Sequence, residues 1–207
     1  MEYSSLKSLF DQGTGGAIPF DPFWKYLQLL LKWNQKINLT AIRNPEKIIE
    51  LHFLDSLAAL PYLPSSGSLL DFGSGAGFPG IPLKIAGPDI ELALAESVRK
   101  KCAFLREVVR TLDLKGVTVF DERVTSGSPI GPFDLIVSRG TSPVADLCNL
   151  LLPHLNDTGK IMIWKGKDIS SELSDAMEVL DQNRRIVEQI PYRLPVSGRE
   201  NVLVLIK

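Results

Sequence analysis

The stretch of residues 69–82, which reads LLDFGSGAGFPGIP, constrains the fold of this chain most strongly. A short apolar run ends in an acid, three alternate glycines follow, and a proline stands where a helix can begin. The local order is therefore strand, tight turn and helix. Gly73, Gly75 and Gly77 permit positive φ angles and leave room for a ligand that approaches the backbone closely. The N–H groups of a helix starting near Pro79 would face that ligand.

Glycine turns of this kind serve nicotinamide, flavin and S-adenosylmethionine (SAM) sites, and some are purely structural. The dinucleotide fingerprint has a glycine or alanine at the sixth position of GxGxxG, where this chain has Phe78. A bulky side chain there opposes the close packing that seats a pyrophosphate on the helix end. Asp71, just before the glycines, suits a ligand with an ammonium group, such as the methionine end of SAM. The turn favours SAM over a dinucleotide.

Composition indicates one globular domain over residues 1–207, with 44% hydrophobic and 23% charged residues. No run of about 18 apolar residues and no apolar leader is present, so we expect a cytoplasmic protein without membrane contact. Cys102 and Cys148 lie among apolar residues and are predicted to be buried free thiols. With only two histidines, no metal site can be assembled from spacing, and we expect none.

Residues 1–66 predict an N-terminal helical extension, and residues 67–207 an α/β core. The extension contains a short helix, a long amphipathic helix capped by Asp21, and a third helix capped by Asn44. On the third helix, His52 and Asp55 are three residues apart and share a face. This pair either holds the helix in place or lies beside the ligand, and the sequence leaves both interpretations open.

Strands and helices alternate beyond Gly67, which is typical of a parallel sheet covered by helices on both faces. Seven strands are predicted, over residues 69–72, 91–95, 117–120, 133–138, 160–164, 185–191 and 201–206. The clearest helix is predicted over 97–113, with a buried stripe made of Val98, Cys102, Leu105, Val109 and Leu112. The last two strands are too close for a helical crossover, so they should form an antiparallel C-terminal hairpin. The predicted fold is α/β, with a mostly parallel seven-stranded sheet.

Residues that follow the strands are candidate ligand contacts, because ligands of open α/β sheets bind outside the carboxyl ends of the strands. Glu96 follows the second strand, where an acid accepts hydrogen bonds from ribose hydroxyls; it could instead complement a helix dipole. Val124 and Thr125 follow the third strand and could offer backbone groups to an adenine edge. Arg139 follows the fourth strand and would place a cation at the centre of the cleft.

Cations cluster at these strand ends and form a predicted basic rim, which consists of Arg99, Lys100, Lys101, Arg123, Arg139 and Lys165. Each could be an ordinary solvated residue. Their coincidence favours an anionic substrate, and a nucleic-acid backbone fits because Lys and Arg supply most of its sequence-independent affinity. We predict RNA contacts at Lys100, Lys101, Arg123 and Lys165.

Several segments carry a family resemblance: residues 32–40, His52 to Ser56, Asp71 to Pro82, Arg106, Phe133 to Arg139, and Lys165-Gly166. Together they resemble the RsmG family, also called glucose-inhibited division protein B, over nearly the whole chain. The resemblance implies a Rossmann-like methyltransferase fold and a bacterial, cytoplasmic, SAM-dependent enzyme. Its implied substrate is N7 of one guanine in the 530 loop of 16S ribosomal RNA, free or in the small ribosomal subunit.

The resemblance also implies cofactor contacts, which lie at Gly73, Phe78, Val124, Thr125 and Arg139, with Glu96 near the ribose. Asp71 and Gly75 join this set through the turn itself. Relatives commonly read Val-Glu-Glu where this chain has Val124-Thr125-Ser126, which leaves only a backbone contact at Thr125. They read Ser-Arg-Ala where this chain has Ser138-Arg139-Gly140, which keeps the arginine.

Guanine N7 carries an exposed lone pair, so its methylation needs no general base, and Arg139 is the one residue we predict to be catalytic. Methylation of an exocyclic amine fits less well because an Asn/Asp-Pro-Pro-Tyr/Phe segment is absent after the fourth strand. A cytosine C5 enzyme needs a reactive thiolate, and Cys148 lies in an inert apolar setting. Two further functions stay open, namely a non-catalytic RNA-binding module that retains SAM and a nicotinamide oxidoreductase. We expect a monomer.

Overall fold

The computed structural model of the protein describes residues 2–87 and 89–207. Its centre is a seven-stranded sheet in the order β3-β2-β1-β4-β5-β7-β6. The strands are β1 Gly67–Phe72, β2 Ile90–Ala95, β3 Val117–Phe120, β4 Phe133–Arg139, β5 Leu155–Gly166, β6 Val187–Arg193 and β7 Glu200–Ile206. The first five strands pair in parallel, and β7 pairs antiparallel with both β5 and β6. The mostly parallel sheet and its C-terminal hairpin are as predicted.

Two strands differ from their predicted bounds. β5 begins at Leu155 instead of residue 160, because Leu155 pairs with Phe133 before a register shift that leads to the Leu135–Lys160 pair. The polar residues 156–159 suggest a turn when read alone, and they lie within this register shift, between the two β5 residues that pair with β4 on either side. β6 runs two residues further along the chain than predicted and contains Pro191. An edge strand tolerates this proline because its missing N–H would face away from the sheet.

Helices cover both faces of the sheet. The N-terminal helices are Tyr3–Thr14, Asp21–Asn34 and a continuous segment made of Pro45–Ile48, the π-helical Ile49–Leu54 and Asp55–Leu57. A 3-10 turn, Leu60–Tyr62, leads into β1, and another, Leu152–His154, leads into β5. The later helices are Gly80–Ala86, Arg99–Thr111, Val144–Leu151 and Ser170–Gln182.

The N-terminal helices and one sheet face bury one continuous hydrophobic cluster. Tyr26 lies at its centre, fully buried, and its ring stacks on Phe53, Phe78 and Phe104. Ring stacking of this kind adds to the burial of large aromatic surfaces. The second cluster lies on the other face, under the helices Val144–Leu151 and Ser170–Gln182. The glycine turn therefore rests on the N-terminal helices through Phe78.

The helix Arg99–Thr111 is shorter than the predicted 97–113 and buries a slightly different stripe. Val98 is the N-cap residue and is largely exposed, so its predicted place in the buried stripe was wrong. Phe104 is fully buried instead. Cys102 and Cys148 are buried free thiols, as expected. Burial raises the pKa of the Cys148 thiol to about 11, which keeps it protonated and unreactive at neutral pH.

Candidate active site

The glycine turn joins β1 to the helix Gly80–Ala86 and has the predicted backbone. Gly73, Gly75 and Gly77 have φ angles of 72°, 57° and 92°. The N–H groups of Gly73 and Ser74 both donate to the Ala95 carbonyl at 3.0 Å, which ties the turn to the end of β2. A Cβ atom at Gly73 would overlap the Thr141 side chain in addition to straining the backbone. The turn therefore requires glycine there for two separate reasons.

Asp71 is not accessible to a ligand at the turn, contrary to the prediction. Its side chain is fully buried beneath the turn, where Oδ2 accepts a hydrogen bond of 2.9 Å from the Gly80 N–H at the start of the helix. Oδ1 has no partner among the described residues. Burial raises the pKa of this carboxyl group to about 7, although the Gly80 hydrogen bond lowers it. Asp71 thus holds the helix start under the turn, and a direct contact with an ammonium group is not supported.

Glu96 lies at the end of β2 with its carboxylate turned toward the turn. Oε2 accepts a hydrogen bond of 3.0 Å from the Gly75 N–H, and Oε1 accepts one of 2.7 Å from the Val98 N–H. Lys101 Nζ lies 3.8 Å from Oε2. Each carboxylate oxygen can accept a further hydrogen bond. Glu96 therefore shapes the turn and can still accept hydroxyl groups from the cavity.

A cavity of about 720 Å³, here called the first cavity, opens between the glycine turn, Glu96 and the end of β4. Its size suits a nucleoside-sized ligand. The predicted cofactor residues that line it are Gly73, Gly75, Phe78, Glu96, Val124, Thr125 and Arg139. Lys101 and Arg123 of the predicted RNA set also line it.

The backbone of Thr125 is already engaged, so its predicted contact with an adenine edge is not supported. Its N–H donates to Ser128 Oγ at 2.9 Å, and its carbonyl lies 2.8 Å from His154 Nε2. The other ring nitrogen of this histidine lies 3.1 Å from the Ile130 carbonyl, which ties the loop to the start of β5. Val124 is buried against the first cavity and keeps its place in the predicted set.

Arg139 stands at the end of β4 and is bound on one side by the third N-terminal helix. Nη1 donates to Asp55 Oδ2 at 2.8 Å and to the Leu51 carbonyl at 3.2 Å, and Nη2 lies 3.1 Å from His52 Nδ1. The guanidinium carbon lies 5.3 Å from the centre of the Phe78 ring. His52 and Asp55, whose role the sequence left open, both contact the arginine that we predicted to be catalytic.

His52 is a neutral acceptor. Burial and the Arg139 charge lower its pKa to about 3. Since Arg139 can only donate, Nδ1 of His52 accepts, and Nε2–H donates to Thr40 Oγ1 at 2.8 Å. The ring also stacks on Phe78, with 4.5 Å between ring centres. His52 lines the first cavity, which is one of the two interpretations that the sequence left open.

Lys165, which we assigned to the basic rim, is not exposed to solvent as an RNA contact would require. Its Nζ forms an ion pair with Glu172 and donates to the Ser142 carbonyl at 2.9 Å, and the side chain is mostly buried. Its predicted RNA contact is therefore not supported, because the charge is neutralised within the protein. Lys100 and Arg123 are exposed, which an RNA contact requires.

Three site residues were missed because their partners are distant in sequence. Tyr26 donates from its hydroxyl to the Ala76 carbonyl in the turn. Tyr192 and Asn201, on the C-terminal hairpin, donate to Asp55 Oδ1 at 2.6 and 3.1 Å. The apolar stripe predicted Tyr26 as a core residue, and nothing local predicts the hairpin contacts.

Residues 2–87 and 89–207, which the structure describes, contain neither a cluster of metal-binding side chains nor a membrane-spanning helix. No group of three or more His, Cys, Asp or Glu side chains in these ranges is arranged to hold a metal ion. No helix in them has the length and apolar character needed to cross a membrane.

Two solved methyltransferases share this fold at low sequence identity. A ribosomal protein L11 methylase from Lactobacillus delbrueckii subsp. bulgaricus superposes with a TM-score of 0.58 at 17% identity, covering 75% of this chain and 77% of that one. A SAM-dependent methyltransferase from Aquifex aeolicus gives a TM-score of 0.57 at 18% identity, covering 79% and 94%. The predicted methyltransferase fold is confirmed.

Sequence comparison gives the family. The chain is 39% identical to the ribosomal RNA small subunit methyltransferase G of Syntrophotalea carbinolica, over 88% of this chain and 86% of that one. It is 41% identical to the protein of the same name from Chromobacterium violaceum, over 87% and 84%. The family model described as GidB, rRNA small subunit methyltransferase G, matches residues 21–197. The chain therefore belongs to the GidB family of rRNA small subunit methyltransferases G.

Proposed function

We propose that this protein is a SAM-dependent methyltransferase that modifies N7 of a guanine in the 530 loop of 16S ribosomal RNA. One observation carries the proposal: the glycine turn, the Glu96 carboxylate and the Arg139 guanidinium line a single cavity in a chain of this family. A purely structural turn could use Glu96 for its Gly75 hydrogen bond, but it would not need a guanidinium that lines the same cavity.

The residues of the first cavity fit SAM. A Cβ atom at Gly75 would meet no atom closer than 3.8 Å, so the glycine leaves room for a ligand to lie against the backbone there. Glu96 is suited to the ribose hydroxyls because each oxygen retains accepting capacity beyond its backbone bond. Val124 supplies an apolar wall for the adenine, and Thr125 can contribute only through its side chain. Phe78 closes the cavity on the side of Arg139.

When bound, SAM supplies an electrophilic methyl group on its sulfonium. Guanine N7 already carries the lone pair that attacks it, so no residue has to remove a proton first. His52 agrees with this chemistry, because it is neutral and both ring nitrogens are engaged by Arg139 and Thr40. The task of the protein is to position the base, and positioning can account for about 7–11 kcal/mol of a barrier.

Arg139 is the residue best placed to recognise guanine. A guanidinium has five N–H donors, and the bonds to Leu51, Asp55 and His52 use three of them. The remaining donors can reach the O6 acceptor of guanine, which lies beside N7 on the same edge. Adenine has an amino group at that position, so its N–H donors would face the N–H donors of Arg139 and no hydrogen bond could form. Arg139 would thus favour guanine over adenine.

The RNA backbone is proposed to contact three cations of the basic rim, namely Lys100, Lys101 and Arg123. Lys100 and Arg123 are exposed, and Lys101 is partly exposed beside Glu96. Cations that neutralise phosphates contribute affinity without sequence preference. We further propose that the protein acts in the bacterial cytoplasm, where ribosomes are made, and as a monomer, which light scattering after gel filtration would test.

The proposal is tested with SAM labelled in its methyl group and purified 16S rRNA or 30S subunits. We expect label to be transferred by the natural protein. Arg139→Ala should lose transfer far beyond its loss of folded protein, while Arg193→Ala, an exposed hairpin arginine paired with Glu200, should retain it. SAM binding without any transfer to RNA would overturn the enzymatic function and leave a binding module. Binding of NAD in place of SAM would overturn the cofactor assignment.

A further inference from the structure

A second cavity, of about 440 Å³, adjoins the first. The two share His52, Arg139 and Gly140 as a common wall. The second cavity lies beyond the ends of β4 and β5, against the C-terminal hairpin, whereas the first lies at the ends of β1 and β2. Groups held in the two cavities would therefore both contact this common wall.

Asp55 joins the residues that form the wall of the second cavity. One carboxylate oxygen binds Arg139, and the other accepts from Tyr192 and Asn201 of the hairpin. The Asp55 carbonyl accepts from the indole N–H of Trp164 at 2.9 Å. Five parts of the chain thus meet at one buried carboxylate and its peptide group, which fixes the shape of the cavity. Fixed shape favours recognition of one rigid ligand over adaptable binding.

The lining combines flat or apolar surface with charge. Aromatic and aliphatic surface comes from Trp164, Tyr192, Leu194 and Ile42. Three cations line the cavity, and two are paired: Arg139 with Asp55, and Lys165 with Glu172. The Arg199 guanidinium has no acidic partner among residues 2–87 and 89–207, and it is exposed at the end of the hairpin turn. A planar ligand with an anionic tail fits this arrangement, because its ring can lie on the apolar surface and its anion can meet Arg199.

We propose that the second cavity receives the target purine nucleotide, with the base against Tyr192 and its phosphate at Arg199. This inference rests on the proposed function and adds where the substrate base is held. With the base in the second cavity, its N7 and O6 edge faces the common wall, where Arg139 has free donors. The C-terminal hairpin then forms part of the substrate site through Tyr192, Asn201 and Arg199.

Gly166 provides the test, because it lines the second cavity and can be enlarged without strain. A Cβ atom there meets no other atom within 4 Å, and its φ is not in the left-handed region. Gly166→Leu should place a branched side chain in the way of the base while the protein folds normally. Gly127→Leu is the matched control: the same substitution also has open space and an ordinary φ, on a loop residue that lines neither cavity.

Four quantities are measured for both variants: the melting temperature, the dissociation constant of SAM, the affinity for a 16S rRNA fragment, and the rate of methyl transfer. We expect Gly166→Leu to retain the first three, with RNA affinity within about threefold because phosphate contacts dominate it. Methyl transfer should fall by about a hundredfold or more, because the base can no longer reach its position. Gly127→Leu should retain all four.

The inference is overturned if Gly166→Leu methylates at the natural rate, or if it loses RNA affinity and methyl transfer in equal measure. The second result would mean that the cavity supplies general RNA affinity and does not position the base. Failure of the proposed function itself would look different, because the natural protein would then transfer no methyl group to 16S rRNA. Arg199→Ala gives a second test: it should raise the KM for RNA, whereas Arg193→Ala on the same hairpin should leave it unchanged.

Discussion

Replacing Asp55 with alanine should destabilise the protein more than any single loss of a surface ion pair. The Asp55 and Arg139 side chains are only 9% and 16% exposed, so their ion pair is largely shielded from water. Asp55→Ala would leave the Arg139 guanidinium without its counter-ion and would also leave the Tyr192 hydroxyl and the Asn201 amide without their acceptor. Breaking a buried pair by removing one partner costs about 3–5 kcal/mol. For a chain of this size the melting temperature should fall by about 6–20 °C.

Arg139→Ala should cost less than Asp55→Ala, about 1–3 kcal/mol, because Asp55 keeps two hydrogen bonds from the hairpin. The control is Asp121→Ala, which breaks the Arg106 ion pair between half-exposed side chains. That change should cost at most about 1 kcal/mol.

The free energy of unfolding of the three variants is measured by urea denaturation, and the melting temperature by calorimetry. A cost below about 1 kcal/mol for Asp55→Ala would refute the reasoning, because a buried uncompensated charge is expensive. A larger loss of unfolding free energy in Arg139→Ala than in Asp55→Ala would refute it as well. That result would mean that the hydrogen bonds from Tyr192 and Asn201 do not stabilise the Asp55 carboxylate once the arginine is removed.

Three further predictions concern the turn, the rim and pH. Gly73→Val should abolish SAM binding in calorimetric titration, because its Cβ overlaps Thr141 and its φ of 72° is strained; unchanged affinity would contradict our placement of the cofactor. Lys100→Glu should weaken RNA binding and lower the salt slope by about 1–2, whereas the exposed control Lys115→Glu should leave the slope unchanged. The pKa of Asp71 is about 7 in the folded protein and 3.8 in the unfolded chain. Between these pH values only the folded protein holds the proton, so the free energy of unfolding falls as the pH rises. The decline should approach about 1.4 kcal/mol per pH unit and be absent in Asp71→Asn; equal pH profiles would count against this assignment.

The sequence predicted the features that depend on local pattern. The glycine turn, the seven strands and the antiparallel hairpin follow from apolar periodicity and from residues that permit special backbone angles. The largest error at a strand end is in β5, which begins five residues before its predicted start because Leu155 pairs with Phe133 ahead of the register shift. Pairing to a neighbouring strand cannot be read from the segment itself.

The site was predicted less completely than the fold, because side-chain direction and distant partners decide it. Asp71 precedes the turn as predicted, but the alternation of the strand turns it beneath the helix start at Gly80. Lys165 follows a strand as predicted, but Glu172 neutralises it. The hairpin residues that bind Asp55 lie more than a hundred residues away in the chain, and no local signal relates them.

The position of the modified nucleotide in the cell is the decisive measurement. A bacterial strain that lacks its own member of this family is complemented with the natural protein or with Arg139→Ala, and its 16S rRNA is digested and analysed by mass spectrometry. We predict one 7-methylguanosine in the 530 loop with the natural protein and none with Arg139→Ala. A methyl group on another atom or another RNA, or no methyl group with the natural protein, would contradict the proposal that this cavity methylates a ribosomal guanine.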